Sequence, residues 1–181
     1  MVKVIAVIGR KKSGKTATSE FLISRLVREG FKVGALKHVH HAGFTLDQKG
    51  KDSWRFAQAG GDPVIIVSSN QVAIISKTKD EENIEELLAM FKGRSLDAIV
   101  LEGFHRAVAG RTDICKIITA KDENDLQDML PGTSPPIICI TGPIAKKRVK
   151  ANLQTAILDL PTQGDELLRM IHQATTTLGV D

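Results

Sequence analysis

Residues 9–16, which read GRKKSGKT, decide how the rest of the chain is interpreted. They fit the pattern G-x-x-x-x-G-K-[ST], in which successive backbone N–H groups wrap around a phosphate group. The apolar run at residues 2–8 enters this loop as a buried strand would, and a helical pattern leaves it. A phosphate held there also meets the positive end of the helix. This context favours a phosphate-binding loop over a glycine turn that binds nothing.

Composition and charge narrow the class of protein. The 181 residues, 42% of them hydrophobic, suit one nucleotide-binding domain over residues 1–181. Residues 1–55 hold 12 Lys+Arg and 4 Asp+Glu, a net charge of +8, which favours an anionic ligand. Aromatic residues make up 4% of the chain and no basic helix stands out, so specific nucleic-acid binding is not expected. Without a spanning segment or signal peptide pattern, we expect a cytoplasmic protein with no membrane contact.

Alternating apolar runs and helical patterns predict the fold class. The predicted strands are residues 2–8, 31–36, 64–67, 72–75, 98–101, 114–118 and 137–140. The first predicted helix has an apolar stripe of Leu22, Ile23, Leu26 and Val27. Further helices are predicted at residues 52–59, 82–91, 122–130 and 165–178. The polar turn at residues 68–71 predicts a hairpin. We therefore expect an α/β fold with a P-loop NTPase-type sheet, mostly parallel, with helices on both faces and a β-hairpin extension.

The loop motif also predicts a metal ion. Lys15 is expected to reach the β- and γ-phosphates, and the Thr16 hydroxyl is expected to ligate Mg²⁺. An acidic residue at the carboxyl end of a neighbouring strand is then required. Glu102 is the best candidate, because it follows the strand at residues 98–101. Asp97 begins that strand at the opposite edge, which favours a structural role.

The second predicted strand ends at Lys37, and residues 37–41 read KHVHH. His38 and His40 should share one face of an extended segment, with His41 on the other. Three interpretations stay open: a zinc or copper site completed by Asp47, histidines lining a basic cleft, or contacts to phosphate, which we prefer.

Two further residues have open roles. Asp52 fits both a helix N-cap and a metal ligand, with Ser53 and Gly50 as other candidates for the cap. His105 would join the histidines if the segment after Glu102 folds back beside the second strand.

Three segments together resemble one family. GRKKSGKT, LKHVHHAGFTLDQKGKDSWRFAQAGGD and VLEGFH are similar to the molybdopterin-guanine dinucleotide biosynthesis protein B family, over roughly residues 1–118. The resemblance implies a P-loop fold of the SIMIBI type, GTP and Mg²⁺ as ligands, weak GTP hydrolysis and homodimers. It also implies an accessory role beside the molybdenum cofactor guanylyltransferase and molybdopterin, which adds a pterin to the groups that the histidines at residues 38–41 are expected to contact.

The chain departs from the family pattern in places. His105 stands where the family commonly has Lys, and residues 115–118 keep only its Lys-Ile pair. No N/T-K-x-D guanine motif is found, and Thr141-Gly142-Pro143 lies where a base-recognition loop is expected. The choice of GTP over ATP therefore rests on the resemblance.

The resulting site prediction has three groups. The catalytic residues are Lys15, Lys37 and Asp52, and the metal ligands are Thr16, Asp52 and Glu102. The nucleotide-binding residues are Gly9, Arg10, Lys11, Lys12, Ser13, Gly14, Lys15, Thr16, Ala17, His38, His40 and His41. Arg10 or Lys11 is a candidate to act across a dimer. The alternatives are an ATP-dependent ligase or kinase of the dethiobiotin-synthetase type and a metallochaperone GTPase.

Overall fold

The structure is a computed structural model that describes residues 2–40, 43–147, 149 and 153–174. The chain divides into two compact units, the first formed by Met1–His38 and Glu82–Asp181 and the second by Val39–Glu81. The strands are β1 (Lys3–Gly9), β2 (Val33–Lys37), β3 (Val64–Val67), β4 (Val72–Ile75), β5 (Ala98–Glu102), β6 (Cys115–Thr119) and β7 (Ile137–Thr141). The helices are α1 (Lys15–Arg28), α2 (Asp52–Gln58), α3 (Ile84–Ala89), α4 (His105–Val108), α5 (Glu123–Met129) and α6 (Leu160–Gln173), with a 3-10 helix at Pro143–Lys146.

The first unit is built on a parallel sheet. Within the described residues its strand order is β2-β5-β1-β6-β7, with β1 at the centre. Lys37 of β2 and Val7 of β1 both pair with Glu102 of β5, so the carboxyl ends of these three strands lie at one edge. The loop at residues 10–14 leaves β1 at that same edge, where ligands of parallel α/β sheets bind.

Helices cover both faces of this sheet, as predicted. On one face, Leu22 and Leu26 of α1 and Leu167 of α6 pack with Ile5 and Val7 of β1. The other face holds α3, α4 and α5 against the alternate residues of the same strand. Full burial of a leucine side chain stabilises the fold by about 1.5–3 kcal/mol. These contacts hold α1, and with it the loop, in place on the sheet.

Two predictions about helices were wrong in part. Val27 is 53% exposed, because α1 turns Leu22 and Leu26, one turn apart, toward the sheet. Helix α6 begins at Leu160, earlier than predicted, because a first turn containing Pro161 precedes a kink at Gln163. The helix after this kink begins close to the predicted start at residue 165. The end of the predicted helix, including Leu178, lies outside the described residues.

The second unit contains the predicted hairpin. Strands β3 and β4 pair antiparallel, with Ile65 opposite Ile74 and Val67 opposite Val72. These four side chains share one face, and each is between 44% and 71% exposed. The hairpin therefore presents an apolar surface. None of the described helices is both long and apolar enough to cross a membrane.

Candidate nucleotide-binding site

The loop between β1 and α1 is shaped to bring backbone N–H groups together. Gly14 is the N-cap of α1 in the left-handed conformation, and no described side chain caps this helix end. A Cβ on Gly9 would lie 2.2 Å from Thr119 Oγ1, so only glycine fits there. Ser13 Oγ lies 2.6 Å from that same threonine oxygen, which fixes the loop to β6. The uncapped N–H groups of α1 therefore face a position suited to an anion.

Lys15 lies across the mouth of this loop. Its Nζ donates to the carbonyl oxygens of Gly9, at 3.0 Å, and of Arg10, at 2.7 Å. Burial lowers the pKa of Lys15, the Glu102 carboxylate acts in the opposite direction, and the nearby Lys37 adds to the lowering. The ammonium group is thus held at the edge where a phosphate would meet the helix end.

Thr16, Lys37 and Glu102 converge beside Lys15. The Thr16 hydroxyl donates to Glu102 Oε1 at 2.7 Å, and Lys37 Nζ donates to the same oxygen at 2.6 Å. The parallel register of β1, β5 and β2 brings these residues together from three separate parts of the chain. A hydroxyl and a carboxylate are oxygen ligands of the kind that Mg²⁺ prefers, so the pair of Thr16 and Glu102 fits this cation.

The basic residues of the loop are not equivalent. Arg10 forms an ion pair with Asp128 on α5, and its Nε lies 3.8 Å from the buried carboxylate of Asp125. Lys11 and Lys12 are exposed, and Lys12 has a left-handed backbone with φ of 64°. Of the two candidates for a role across a dimer, Arg10 is therefore tied to α5, whereas Lys11 makes no ion pair with the described part of the chain.

Of the histidines at residues 38–41, His38 lies in the first unit, next to the end of β5. The backbone N–H of His38 donates to Glu102 O at 2.9 Å, and its ring stacks on Phe104 with centroids 4.9 Å apart. A Cβ on Gly103 would lie 3.1 Å from His38 Cβ, so the glycine after Glu102 permits this approach. His40 lies in the second unit, and His41 lies outside the described residues. No group of three or more His, Cys, Asp or Glu side chains among the described residues is arranged to hold a metal ion.

His105 contacts Thr133 of the same unit. The Thr133 hydroxyl donates to Met129 O at 2.6 Å, so its oxygen accepts from His105 Nε2 at 3.3 Å. Burial lowers the pKa of His105. This histidine therefore has a structural contact within the first unit.

The N-cap interpretation of Asp52 was wrong. Asp52 is the first residue of α2, whose N-cap is Lys51, and its carboxylate pairs with Arg55 at 3.3 Å. The turn before α2 is organised instead by Asp47, whose Oδ1 accepts from Ser53 Oγ at 2.9 Å. Asp52 belongs to the second unit, and its role as a metal ligand stays a prediction.

Asp97 has the structural role favoured from its position. Its Oδ2 accepts from the backbone N–H of Lys32 at 2.7 Å, at the edge of the sheet opposite the loop.

A cavity of about 410 Å³ lies beside the loop, and sequence reasoning found only part of it. Gly142 joins the two features, because a Cβ there would lie 2.4 Å from Ser13 O. In the sequence, the signal for this turn is a glycine directly after the strand that becomes β7, and the structure gives this glycine a φ of 98°. The cavity is lined by Gly14, Ala17, Thr18, Phe21, Thr141, Gly142, Pro143, Lys146, Asp159, Leu160 and Pro161.

A parallel sheet whose central strand runs through a glycine-lysine-threonine loop into a helix defines a P-loop NTPase fold. The chain belongs to the MobB family, because residues 4–139 match the family described as molybdopterin guanine dinucleotide synthesis protein B.

Individual proteins that are similar to this chain have names from the same family. The molybdopterin-guanine dinucleotide biosynthesis adapter protein of Haemophilus influenzae is 33% identical over 103 residues, which are 57% of this chain and 57% of that protein. The adapter protein of Escherichia coli K12 is 32% identical over 124 residues, 67% of each chain. The crystal structure of Bacillus subtilis MobB superposes with a TM-score of 0.70 at 22% identity, covering 93% of this chain and 97% of that one. The match to the Haemophilus protein thus spans just over half of its length.

Proposed function

We propose that this protein binds GTP with Mg²⁺ at the loop of residues 9–16, hydrolyses it slowly and serves as an accessory protein in molybdopterin guanine dinucleotide biosynthesis. The observation that carries the proposal is the convergence of Lys15, Thr16, Lys37 and Glu102 at the uncapped end of α1. The description of the relatives as adapter proteins supports the pathway. The partners would be the molybdenum cofactor guanylyltransferase and molybdopterin, in the cytoplasm.

The residues at the loop suit phosphate binding and charge neutralisation. Lys15 and Lys37 would donate to the phosphate oxygens, and Thr16 and Glu102 would hold Mg²⁺, which neutralises charge on the phosphates. Gly9 to Ala17 would supply backbone N–H groups. His38, His40, His41 and Asp52 are proposed contacts to the phosphates, the metal or the pterin. Lys11 would reach the nucleotide of a second copy, so GTPase activity should rise with protein concentration and fall in Lys11→Ala.

A nucleotide titration tests the core of this proposal. Binding of GTP and ATP is measured calorimetrically with and without Mg²⁺, for the wild type, Lys15→Ala and Lys92→Ala. Lys15→Ala should weaken binding about 100-fold, because a charge-assisted contact to phosphate is lost, which is about 2.7 kcal/mol. Lys92 is an exposed lysine just after α3 and serves as the matched control, with unchanged binding. Equal affinity in the wild type and Lys15→Ala would contradict a site at this loop.

The accessory role needs its own measurement. Purified guanylyltransferase and molybdopterin would be assayed for dinucleotide formation with and without this protein. A higher yield with the wild type, and no gain with Lys15→Ala, is expected. An equal gain from both proteins would separate the adapter role from nucleotide binding.

The apolar face of the hairpin supports a homodimer. Ile65, Val67, Val72 and Ile74 form a continuous exposed patch of a kind that marks interaction surfaces. Sedimentation should show a dimer for the wild type and a monomer for the double variant Val67→Lys, Val72→Lys. Ser69→Lys, in the turn of the same hairpin, should leave the dimer intact. A dimer that survives the double variant would exclude this face.

A further inference from the structure

We propose that the cavity beside the loop is a purine pocket in which Asp159 selects guanine over adenine. The inference rests on the proposed nucleotide binding and deepens it, because it names the base and the residue that recognises it. Residues 141–161 lie beyond the span of 4–139 that matches the family, so the family match assigns none of them a role.

The cavity is in the right place for the base of a nucleotide held by its phosphates. Gly14, Ala17 and Thr18, at the start of α1, form one side of it. Gly142 packs its backbone on Ser13 O, so the loop after β7 and the phosphate loop form one continuous surface. A nucleotide whose phosphates meet the N-terminus of α1 can therefore extend its base directly into this cavity. Its volume of about 410 Å³ is within the range of small-molecule sites.

The walls suit a flat aromatic ring. Phe21, Pro143, Leu160 and Pro161 supply apolar surface from three separate segments. Arg25 lies over the ring of Phe21, 5.9 Å from its centroid, and Gly164, which has no side chain, leaves room for the same ring. A Cβ on Gly164 would lie 2.3 Å from Phe21 Cζ. Offset or edge-on packing against such side chains favours an aromatic ligand.

Among the described residues that line this mostly apolar cavity, Asp159 is the one that carries a carboxylate. Asp159 occupies the N-cap position of α6, yet its side chain does not cap the helix within the described residues. Its Oδ2 accepts one hydrogen bond in that region, from Thr162 Oγ1 at 3.3 Å. A carboxylate has about four acceptor sites on two oxygens, so capacity for a ligand remains.

Guanine and adenine differ in the hydrogen-bonding groups that they would present to the Asp159 carboxylate. Guanine presents N1–H and the 2-amino group side by side, and these match the two oxygens of a carboxylate. Adenine presents an unprotonated N1 at the equivalent position. The lone pair of this nitrogen would face the carboxylate, which would then receive no hydrogen bond from the base. Lys146, an exposed residue that also lines the cavity, would add a donor for the O6 atom of guanine.

Competition with labelled GDP tests this assignment. The competitors are GDP, ADP, inosine diphosphate and xanthosine diphosphate, each measured on the wild type, Asp159→Asn and Glu166→Gln. Wild-type protein should bind GDP at least tenfold more tightly than ADP, and several-fold more tightly than inosine diphosphate, which lacks the 2-amino group. Asp159→Asn should lose at least tenfold for GDP and gain for xanthosine diphosphate, since the amide can donate to the C2 carbonyl. Glu166→Gln, on the same helix but outside the cavity, should behave as the wild type.

The outcomes separate this inference from the function on which it rests. Equal binding of GDP and ADP, or a preference for ADP, would overturn the role of Asp159 but leave nucleotide binding intact. Failure of every nucleotide to bind would overturn both. The wild-type comparison of GDP with inosine diphosphate uses no variant, so it decides the matter even if Asp159→Asn does not fold. A guanine preference that Asp159→Asn leaves unchanged would also exclude this residue.

Discussion

The phosphate loop and the neighbouring cavity meet at Gly142 but are encoded in different ways. The loop is one run of eight residues, and its proposed binding groups are mainly backbone N–H groups at the start of α1. The cavity is assembled from α1, the turn after β7, the 3-10 helix and the start of α6, and the groups proposed to bind a base there are side chains. A contiguous backbone site leaves a pattern in the sequence, whereas a pocket made of scattered side chains becomes visible only when the fold brings them together.

The largest effect is expected where the two features join. In Gly142→Ala, the new Cβ would meet Ser13 O at 2.4 Å and Ala120 O at 2.9 Å, both backbone atoms, at a φ of 98°. Gly132→Ala is the matched control, because Gly132 has φ of 81° and open space around it. Denaturant unfolding should show a loss of about 2–4 kcal/mol for Gly142→Ala and about 1 kcal/mol for the control. Equal losses would mean that strain, and not the contact with the loop, limits this position.

The next largest effect is expected on nucleotide affinity, from a change at Glu102, the proposed metal ligand beside the phosphate loop. Glu102→Gln removes the carboxylate charge that would hold Mg²⁺, so nucleotide affinity with Mg²⁺ should fall about tenfold, or about 1.4 kcal/mol. Affinity in EDTA should change little. Asp97→Asn, at the other end of β5, is the control, since its amide oxygen can still accept from Lys32 N–H. The same loss with and without Mg²⁺ would argue against Glu102 as a metal ligand.

A smaller effect is expected on the cavity alone. Gly164→Ala would displace the ring of Phe21, a movable side chain, so the preference for GDP over ADP should fall about threefold. Affinity for inorganic pyrophosphate should stay the same, because the loop is not touched. Gly110→Ala, where nothing lies within 4 Å of the new Cβ, is the comparison. A parallel drop in pyrophosphate affinity would show that the two features are not separable.

The smallest effect is expected at His105, which belongs neither to the phosphate loop nor to the cavity, and it is a pH dependence of the stability. Burial lowers the pKa of His105 below its ordinary value in the folded state, so the unfolded chain binds the proton first as the pH falls. This contribution to stability is complete above pH of about 6.5 and is lost as the pH falls toward the lower folded pKa. Urea unfolding at pH 7.5 and pH 5.5 should show a smaller difference in His105→Gln than in the wild type. An identical pH difference in both proteins would contradict this.

Much of the fold follows from local patterns in the sequence. The parallel strands, the hairpin and the helix after the loop were predictable, because apolar runs and turn residues repeat with the periods of strands and helices. The meeting of Thr16 with Glu102 also follows, because strands of a parallel sheet end at one edge. The roles of these residues in metal binding stay proposals.

Other features depend on contacts that no local pattern carries. In the sequence Asp159 looks like an ordinary loop acid, because the first turn of α6 at Leu160 is separated by the kink at Gln163 from the helix that the apolar pattern predicts. The capping role expected of Asp52 failed because Asp47 organises the same turn with its side chain.

The arrangement at Glu102 has a thermodynamic consequence. Thr16 and Lys37 both donate to the single oxygen Oε1, so a cation that approaches this atom competes with the Lys37 ammonium for it. A phosphate group that draws Lys37 toward itself would release that oxygen. Anion and cation would then assist each other, and by linkage the gain in metal affinity caused by the nucleotide must equal the gain in nucleotide affinity caused by the metal. A carboxylate shared in this way would couple the binding of two ligands of opposite charge.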